Sequence, residues 1–171
     1  MSTHKPTYKD FLACFPVLEL PVTVTADSRV EFAKANAPFP QQIIEDFLVP
    51  IEQEGIDEFT EFEPCFRFAE DEEFDAVVYW RGKIYSYEYI LAIFDRKQQL
   101  ISRKSIAGSR FEKERLFQSA ANISEDFIIS IVAGQQEEGD KNYKAEMSQS
   151  MTFEILTTGD IIFSLQDSDY L

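Results

Sequence analysis

The stretch that decides the fold is residues 65–94, CFRFAEDEEFDAVVYWRGKIYSYEYILAIF. Upstream of it apolar residues recur at helical spacing, whereas within it they alternate or run together as they do in strands. Aromatic and β-branched residues, which favour strands, dominate both of its apolar runs. The polar residues Arg81–Lys83 separate the run that ends at Trp80 from the run that begins at Ile84. The stretch therefore predicts a β-hairpin with its turn at Arg81–Lys83.

Downstream of this hairpin, short apolar stretches alternate with turn residues. Turns are predicted at residues 95–99 and 157–160, and a polar loop at residues 135–142. Residues 108–122, which include an alanine pair, favour a short helix or an irregular crossover. The predicted strands are Phe74–Trp80, Ile84–Ile93, Leu100–Ile106, Ile123–Val132, Ala145–Leu156 and Ile161–Leu165. Successive short strands joined by tight turns predict an antiparallel meander of hairpins.

Upstream of residue 65, two segments are predicted to be helical. The first starts at a capping-box pattern, Thr7 with Asp10, and is stopped by Pro16. The second, residues 43–51, is ended or kinked by Pro50. The apolar face of the first segment comprises Tyr8, Phe11, Leu12 and Phe15.

Between the two helical segments, Val17–Thr25 alternates in part like a strand. Pro21 removes one backbone donor, which places this segment at a sheet edge or in an extended stretch. Together the patterns predict an α+β fold with N-terminal helices packed on a mainly antiparallel β-sheet. The 171 residues suit a single domain, with a helical, acidic portion at 1–64 and an antiparallel β portion at 65–171.

Charge is the most unusual feature of the composition. There are 31 acidic and 16 basic residues, a formal net charge of −15. Such a balance opposes binding to nucleic acid phosphates or to an anionic membrane surface, so we expect neither as a partner. Glu45–Asp75 holds thirteen of the acids and one base, Arg67. This segment favours a basic protein as the partner.

A locally basic segment follows the acidic one and includes Arg103, Lys104, Arg110, Lys113 and Arg115. These residues could form a face for an anion. The more economical interpretation is that they lie beside the acids of Glu45–Asp75 and neutralise them, either within the fold or across a homo-oligomer.

Motifs for metals, cofactors and common catalytic groups are missing from the sequence. His4 is the single histidine, and with Cys14 and Cys65 it matches no zinc-ligand spacing. Glycine-rich phosphate loops and calcium-loop spacings are absent too, so no cofactor and no metal are expected. The chain shows no signal-peptide pattern, no apolar stretch of membrane-spanning length and few cysteines, which predicts a soluble, cytoplasmic protein.

Two groups of residues are candidates for function. The first is an acidic run that could contact a basic partner: Glu70, Asp71, Glu72, Glu73 and Asp75. The second is an aromatic set that could form a recognition surface or line a pocket: Tyr79, Trp80, Tyr85, Tyr87 and Tyr89. Within it, Tyr85, Tyr87 and Tyr89 share one strand face by the period of two, although cross-strand packing explains such a row equally well.

Three functions are consistent with these features. The first is a non-enzymatic acidic interaction protein, for example an inhibitor or immunity-type protein that binds a basic partner. The second is a small-ligand module with an aromatic-lined pocket between the sheet and the N-terminal helices. The third is an enzyme that uses carboxylates and tyrosines. The missing histidine chemistry favours a protein that is not an enzyme.

Overall fold

In a computed structural model of the chain, which describes residues 4–52, 55–137 and 148–164, β-strands dominate the secondary structure. Nine strands are present within these residues. Their bounds are β1 Val22–Val24, β2 Glu61–Phe68, β3 Phe74–Gly82, β4 Ser86–Asp95, β5 Leu100–Glu112, β6 Arg115–Ile123, β7 Ile128–Glu137, β8 Gln149–Ile155 and β9 Ile161–Phe163. Strands β2 to β9 lie side by side in chain order, and each neighbouring pair is antiparallel. The predicted antiparallel meander is confirmed.

The helices are few and short. Helix α1 covers Tyr8–Ala13, and the predicted capping box at its start is confirmed. The Asp10 amide donates to Thr7 Oγ1 at 3.2 Å, and the Thr7 amide donates to Asp10 Oδ2 at 2.8 Å. A second helix, α2, spans Ser28–Ala35 and was not predicted, because it has no apolar stripe and no buried residue.

The second predicted helical segment is present as a run of mixed helical turns. One α-helical turn covers Gln41–Ile43, a π-helical turn covers Ile44–Leu48, and a 3₁₀ turn covers Val49–Ile51. We call this run helical segment 41–51. Pro50 lies at the start of the 3₁₀ turn, where an amide hydrogen has no partner within that turn, so proline is tolerated there.

Two sequence predictions about strand ends were wrong. Residues 108–122 form neither a helix nor a crossover, because β5 continues to Glu112 and β6 starts at Arg115. The two turn residues between them, Lys113 and Glu114, have φ angles of 50° and 63°. Such a turn is usually marked by Asn or Gly, which are absent here.

The turn predicted at Arg81–Lys83 starts later than expected. Arg81 and Gly82 belong to β3, where they pair with Glu88 and Tyr87 of β4. Arg81 is polar but only 3% exposed, because acidic side chains hold its guanidinium inside the protein. The polar character of Arg81 predicts a turn, but in the structure Arg81 is a buried charged residue of β3.

Each face of the sheet near β3 and β4 carries its own apolar cluster. On one face, Phe11 of α1 and Phe15, two residues after the end of α1, share a cluster with Tyr79, Ile90 and Phe94. The opposite face belongs to the larger cluster, which contains Val78, Trp80, Tyr89, Leu91 and Ile93 of these strands. The alternation of side chains along β3 and β4 produces this division.

The later strands curl back over the larger cluster. Phe127, between β6 and β7, contacts Phe68 and Phe74 with ring centroids 6.1 Å away in both cases. The Ser102 hydroxyl on β5 donates to the carbonyl oxygen of Gly159, between β8 and β9, at 2.6 Å. The sheet is therefore curved enough for its last strands to cover its first ones.

Strand β6 changes partners along its length. Its first half pairs with β5, where Gly108 lies opposite Ser119, and its second half pairs with β1, where Val24 lies opposite Ala121. Along the second half of β6, strand β1 therefore occupies the side on which β5 pairs with the first half. The segment Val17–Thr25, predicted at a sheet edge or in an extended stretch, contributes this short strand.

Parts of two predicted elements lie outside the described residues, namely 138–142 of the polar loop and 145–147 at the start of a strand. Residue 165, the end of the last predicted strand, lies outside them as well. In the part of the chain that is described, no helix is both long and apolar enough to span a membrane.

The close approach of β4 and β5 at Gly108 generates a prediction. A Cβ at this position would collide with the carbonyl oxygen of Tyr87 and lie 3.0 Å from Cα of Glu88. Because both are backbone atoms, we expect Gly108→Ala to lower the free energy of unfolding by about 2 kcal/mol in urea denaturation. The matched control is Gly55→Ala, since a Cβ at Gly55 meets nothing within 4 Å. Equal stability of the two variants would contradict this account of the close approach between β4 and β5.

Candidate functional site

The acidic run predicted to contact a partner lies in the turn between β2 and β3. Glu70, Asp71 and Glu73 are exposed, and Glu72 is half-buried. Glu70 forms an ion pair with Arg67 at 3.4 Å, and its side chain is 53% exposed. Such an exposed pair adds little stability. The turn is therefore a solvated, negatively charged tip at one end of the sheet.

Asp75, the last residue of the predicted run, has a different environment. Its carboxylate accepts a hydrogen bond from the Tyr8 hydroxyl at 2.8 Å and lies 3.6 Å from the Arg96 guanidinium. Burial, together with the hydrogen bond to Asp75, raises the pKa of Tyr8. Asp75 thus attaches α1 to the sheet, and the structure separates it from the exposed acids that precede it.

The aromatic candidates do not form one surface. Tyr79 is buried with the side chains of α1, whereas Trp80 and Tyr89 are buried on the opposite face. Tyr85 lies in the turn before β4 and is 72% exposed. Tyr87 and Tyr89 contact edge to face with centroids 6.3 Å apart, as expected for residues that share a strand face.

Three of the aromatic candidates meet at a shallow cleft of about 320 Å³. Trp80, Tyr85 and Tyr87 line it, with Ile84 and Phe111 beside them. The Trp80 ring lies against Gly82, where a Cβ would collide with it, and the Arg29 guanidinium lies 4.1 Å from the ring centroid. This cleft lies at the tips of two hairpins, and aromatic side chains of α1 and the sheet fill the space that was predicted to hold a pocket.

Sequence reasoning missed the most buried charged cluster in the described residues, which is centred on Glu52. The Glu52 side chain is 1% exposed and follows directly after helical segment 41–51. Its carboxylate accepts hydrogen bonds from the Tyr79 hydroxyl at 2.8 Å, from Arg103 Nη2 at 3.0 Å and from Arg81 Nη1. Arg81 also forms an ion pair with Glu88 at 3.1 Å.

The charge of Glu52 is held by its neighbours. Burial alone would raise the pKa of Glu52, but the hydrogen bonds from Arg81 and Tyr79 and the charge of Arg103 outweigh it, so the pKa lies below its ordinary value. Burial and the charge of Glu52 raise the pKa of Tyr79. Glu52 therefore stays ionised at neutral pH, and the cluster joins the end of helical segment 41–51 to β3 and β5.

The basic segment compensates the acidic one in part. Arg103 binds Glu52, as the economical interpretation requires, but two of its neighbours lie elsewhere. Lys104 Nζ lies 3.8 Å from the centroid of the Phe153 ring, and Arg110 pairs with Glu112 at 3.2 Å. Other bases supply further pairs, including Arg29 with Glu63 at 2.8 Å.

Four acids from the middle of the segment line a groove of about 490 Å³ between helical segment 41–51 and β2. Four carboxylates line it: Asp57, Glu58, Glu61 and Glu63. Apolar side chains lie among them, namely Pro38, Ile44, Val49, Ile56 and Phe62. In the described part of the chain, no lysine or arginine belongs to this lining. We call this feature the acidic groove.

The acidic groove borders an edge strand. Strand β2 ends the sheet, but most of its free edge is covered. The Arg67 amide and carbonyl bond to Pro16 and Leu18, and the Asn36 side chain donates to the carbonyl oxygens of Pro64 and Cys65. Among the described residues, only β3 hydrogen-bonds the backbone of Glu61–Glu63. The open part of the edge therefore coincides with the groove.

Comparisons of the sequence and the structure with known proteins identify no relative of this chain. No family model matches this chain, and no curated protein and no solved structure is significantly similar to it. In the residues that the structure describes, no three or more His, Cys, Asp and Glu side chains are placed to hold a metal ion. The acidic groove and the Glu52 cluster are therefore interpreted from their own chemistry.

The Glu52 cluster generates a prediction about stability. Glu52→Gln removes the charge that compensates Arg81 and Arg103 in a buried site, so we expect it to lower the free energy of unfolding by about 3 kcal/mol. Urea denaturation at neutral pH measures this change. The matched control is Glu45→Gln, because Glu45 is exposed and its one side-chain hydrogen bond within the described residues comes from Gln41. If Glu52→Gln lowers the free energy of unfolding no more than the control does, the cluster does not stabilise the packing of helical segment 41–51 on the sheet.

The same cluster predicts a pH dependence. The folded state lowers the pKa of Glu52, so its stabilising effect is fully present above the ordinary glutamate pKa of about 4.3 and is lost as the pH falls through the lower, folded value. We therefore expect the stability difference between the natural protein and Glu52→Gln to shrink in that acid range. A difference that stays constant down to the acid unfolding of both proteins would contradict this origin.

Proposed function

We propose that the protein is a non-enzymatic binding module that takes up an extended, basic segment of another protein in the acidic groove. The observation that carries this proposal is the coincidence of four groove carboxylates with the open edge of β2 at Glu61–Glu63. An extended peptide that adds to a sheet edge gains backbone hydrogen bonds, and the side chains beside the edge provide specificity.

Charge supports a basic partner. Glu58 and Glu61 are exposed, and neither has an ion-pair partner among the described residues. Placing like charges together is unfavourable in the free protein, and a cationic partner relieves that repulsion while increasing the rate of encounter. The acids of the β2–β3 turn, Glu70–Glu73, add to the field that attracts such a partner from a distance.

The apolar part of the groove supports a segment that alternates basic and apolar residues. Side chains of an added strand point alternately to the two sides of the sheet. Val49 and Ile56 are 41% and 37% exposed, so an apolar side chain placed between them would be shielded from water. Lysine or arginine side chains on the same segment would reach Glu58 and Glu61.

A second candidate function rests on the aromatic cleft. Ile84, Tyr85 and Phe111 are 62%, 72% and 44% exposed and lie at adjacent hairpin tips beside Trp80. A flat apolar ligand could stack there. Its binding would respond weakly to ionic strength, whereas capture of a basic segment weakens as salt is added.

The direct test is titration of the full chain with a short synthetic peptide that alternates lysine and valine, followed by calorimetry at low and high salt. We expect Glu58→Lys/Glu61→Lys to weaken binding by about tenfold or more, because it removes two attractive charges and adds two repulsive ones. The matched control is Glu125→Lys/Asp126→Lys, which changes the net charge equally in the exposed turn before β7. We expect this control to bind almost as the natural protein does.

A second peptide has the same lysine–valine sequence with every backbone amide N-methylated, so it keeps the charge but has no amide hydrogen to donate to the strand edge. We expect it to bind more weakly than the lysine–valine peptide. Two results would reject the proposal, namely equal loss of binding in the two charge variants, which indicates nonspecific attraction, or equal affinity for the two peptides, which excludes strand addition.

A further inference from the structure

A separate cavity of about 440 Å³ lies where β4 to β8 run side by side. One row of cross-strand partners crosses it from strand to strand: Glu88, Gly108, Ser119, Ala133 and Gln149. Partners in an antiparallel pair lie directly opposite each other, so the row crosses the lining of the cavity from strand to strand, and we call it the floor. The three central residues are small, which gives the cavity its depth.

A second row of partners lies beside the first, two residues along each strand. Ser86 pairs with Arg110, Arg110 with Phe117, and Phe117 with Gln135, and all four line the cavity. The Arg110 guanidinium lies over the Phe117 ring at 4.8 Å from its centroid. The walls therefore combine hydroxyl and carboxamide groups with one aromatic ring.

The charges at this cavity argue against an ionic ligand. Arg110 already pairs with Glu112 at 3.2 Å, and Glu88 pairs with Arg81 at 3.1 Å. An anion would meet the carboxylate of Glu88, and a cation would meet the guanidinium of Arg110. The two opposite, already paired charges leave a site that suits a neutral ligand.

The polar groups are suited to hydroxyl recognition. Hydroxyl and carboxamide side chains each donate and accept hydrogen bonds, as sugar hydroxyls do. No hydrogen bond to another described residue occupies the side chains of Ser86, Ser119 or Gln149. Phe117 and Ala133 offer apolar surface to the C–H groups that a sugar ring also carries. The cavity volume lies within the range of small-ligand sites, about 300 to 1,000 Å³.

From these features we infer that the cavity between β4 and β8 binds a neutral, polyhydroxylated ligand of the size of a short saccharide. Its floor is the row Glu88–Gly108–Ser119–Ala133–Gln149, and its wall is the Arg110–Phe117 pair. The inference does not depend on the acidic groove, which is lined by different residues on β2 and helical segment 41–51.

The experiment is a nuclear magnetic resonance titration of the full chain with three neutral disaccharides, maltose, cellobiose and lactose. Glucose 6-phosphate and glucosamine serve as anionic and cationic probes. We expect at least one neutral disaccharide to shift amide resonances of β5, β6 and β7 around the cavity, and both charged sugars to bind more weakly. Absence of binding by all three disaccharides, or stronger binding of a charged sugar, would overturn the inference.

Two variants locate the binding. Ser119→Leu fills the cavity floor, so we expect it to abolish disaccharide binding. The control, Ser130→Leu, places the same side chain at an exposed position of β7, so we expect disaccharide binding to be unchanged. Because Ser119→Leu could also disturb the sheet, Gln149→Ala provides a second test that only removes a polar group. We expect Gln149→Ala to weaken binding by about tenfold, the value of one lost hydrogen bond. Unchanged affinity in both cavity variants would overturn the inference.

Discussion

The buried carboxylate of Glu52 is the contact on which the arrangement of the N-terminal segment depends. It meets Arg81 of β3 and Arg103 of β5, and all three side chains are at most 10% exposed. A charged group is buried at low cost only when opposite charges and hydrogen bonds surround it. Because the guanidinium groups come from two strands, Glu52 can satisfy both only if helical segment 41–51 ends over this part of the sheet.

That position has consequences for the surface. Helical segment 41–51 forms one wall of the acidic groove, and β2 forms the other. The acids of Glu45–Asp75 therefore divide into groups with different physical roles: Glu52 and Asp75 attach N-terminal elements to the sheet, whereas Glu58 and Glu61 remain exposed beside a strand edge. Internal compensation and attraction of a basic partner are both compatible with this division, because they use different acids.

Local patterns in the sequence were enough to predict the meander and the capping box at Thr7. Period-two alternation, turn residues and capping residues act over a few neighbouring positions, so a sequence displays them directly. The end of β3 was misjudged because Arg81 is buried by a partner that lies 29 positions away in the chain. No local pattern distinguishes a buried arginine from one in a turn.

The candidate site, too, depends on contacts between residues that are distant in the sequence. Charge counting identified the whole acidic segment, together with Arg103 as a base that could neutralise it. The partner-binding candidates chosen within that segment, however, were the exposed run Glu70–Glu73 and Asp75 and not the groove acids. Which carboxylates border an open edge depends on what covers β2, namely the Asn36 side chain and the backbone of Pro16 and Leu18. The pairing of β1 with the second half of β6 could not be predicted from local patterns either, because it joins residues about a hundred positions apart.

The measurement that tests this account most directly is amide hydrogen exchange of β2, in the free protein and with the lysine–valine peptide present. The account predicts that the peptide slows exchange at Glu61–Glu63, where the edge is open, and leaves the covered residues near Arg67 unchanged. Slower exchange confined to the Glu70–Glu73 turn or to the Tyr85 cleft, with no change at Glu61–Glu63, would contradict it.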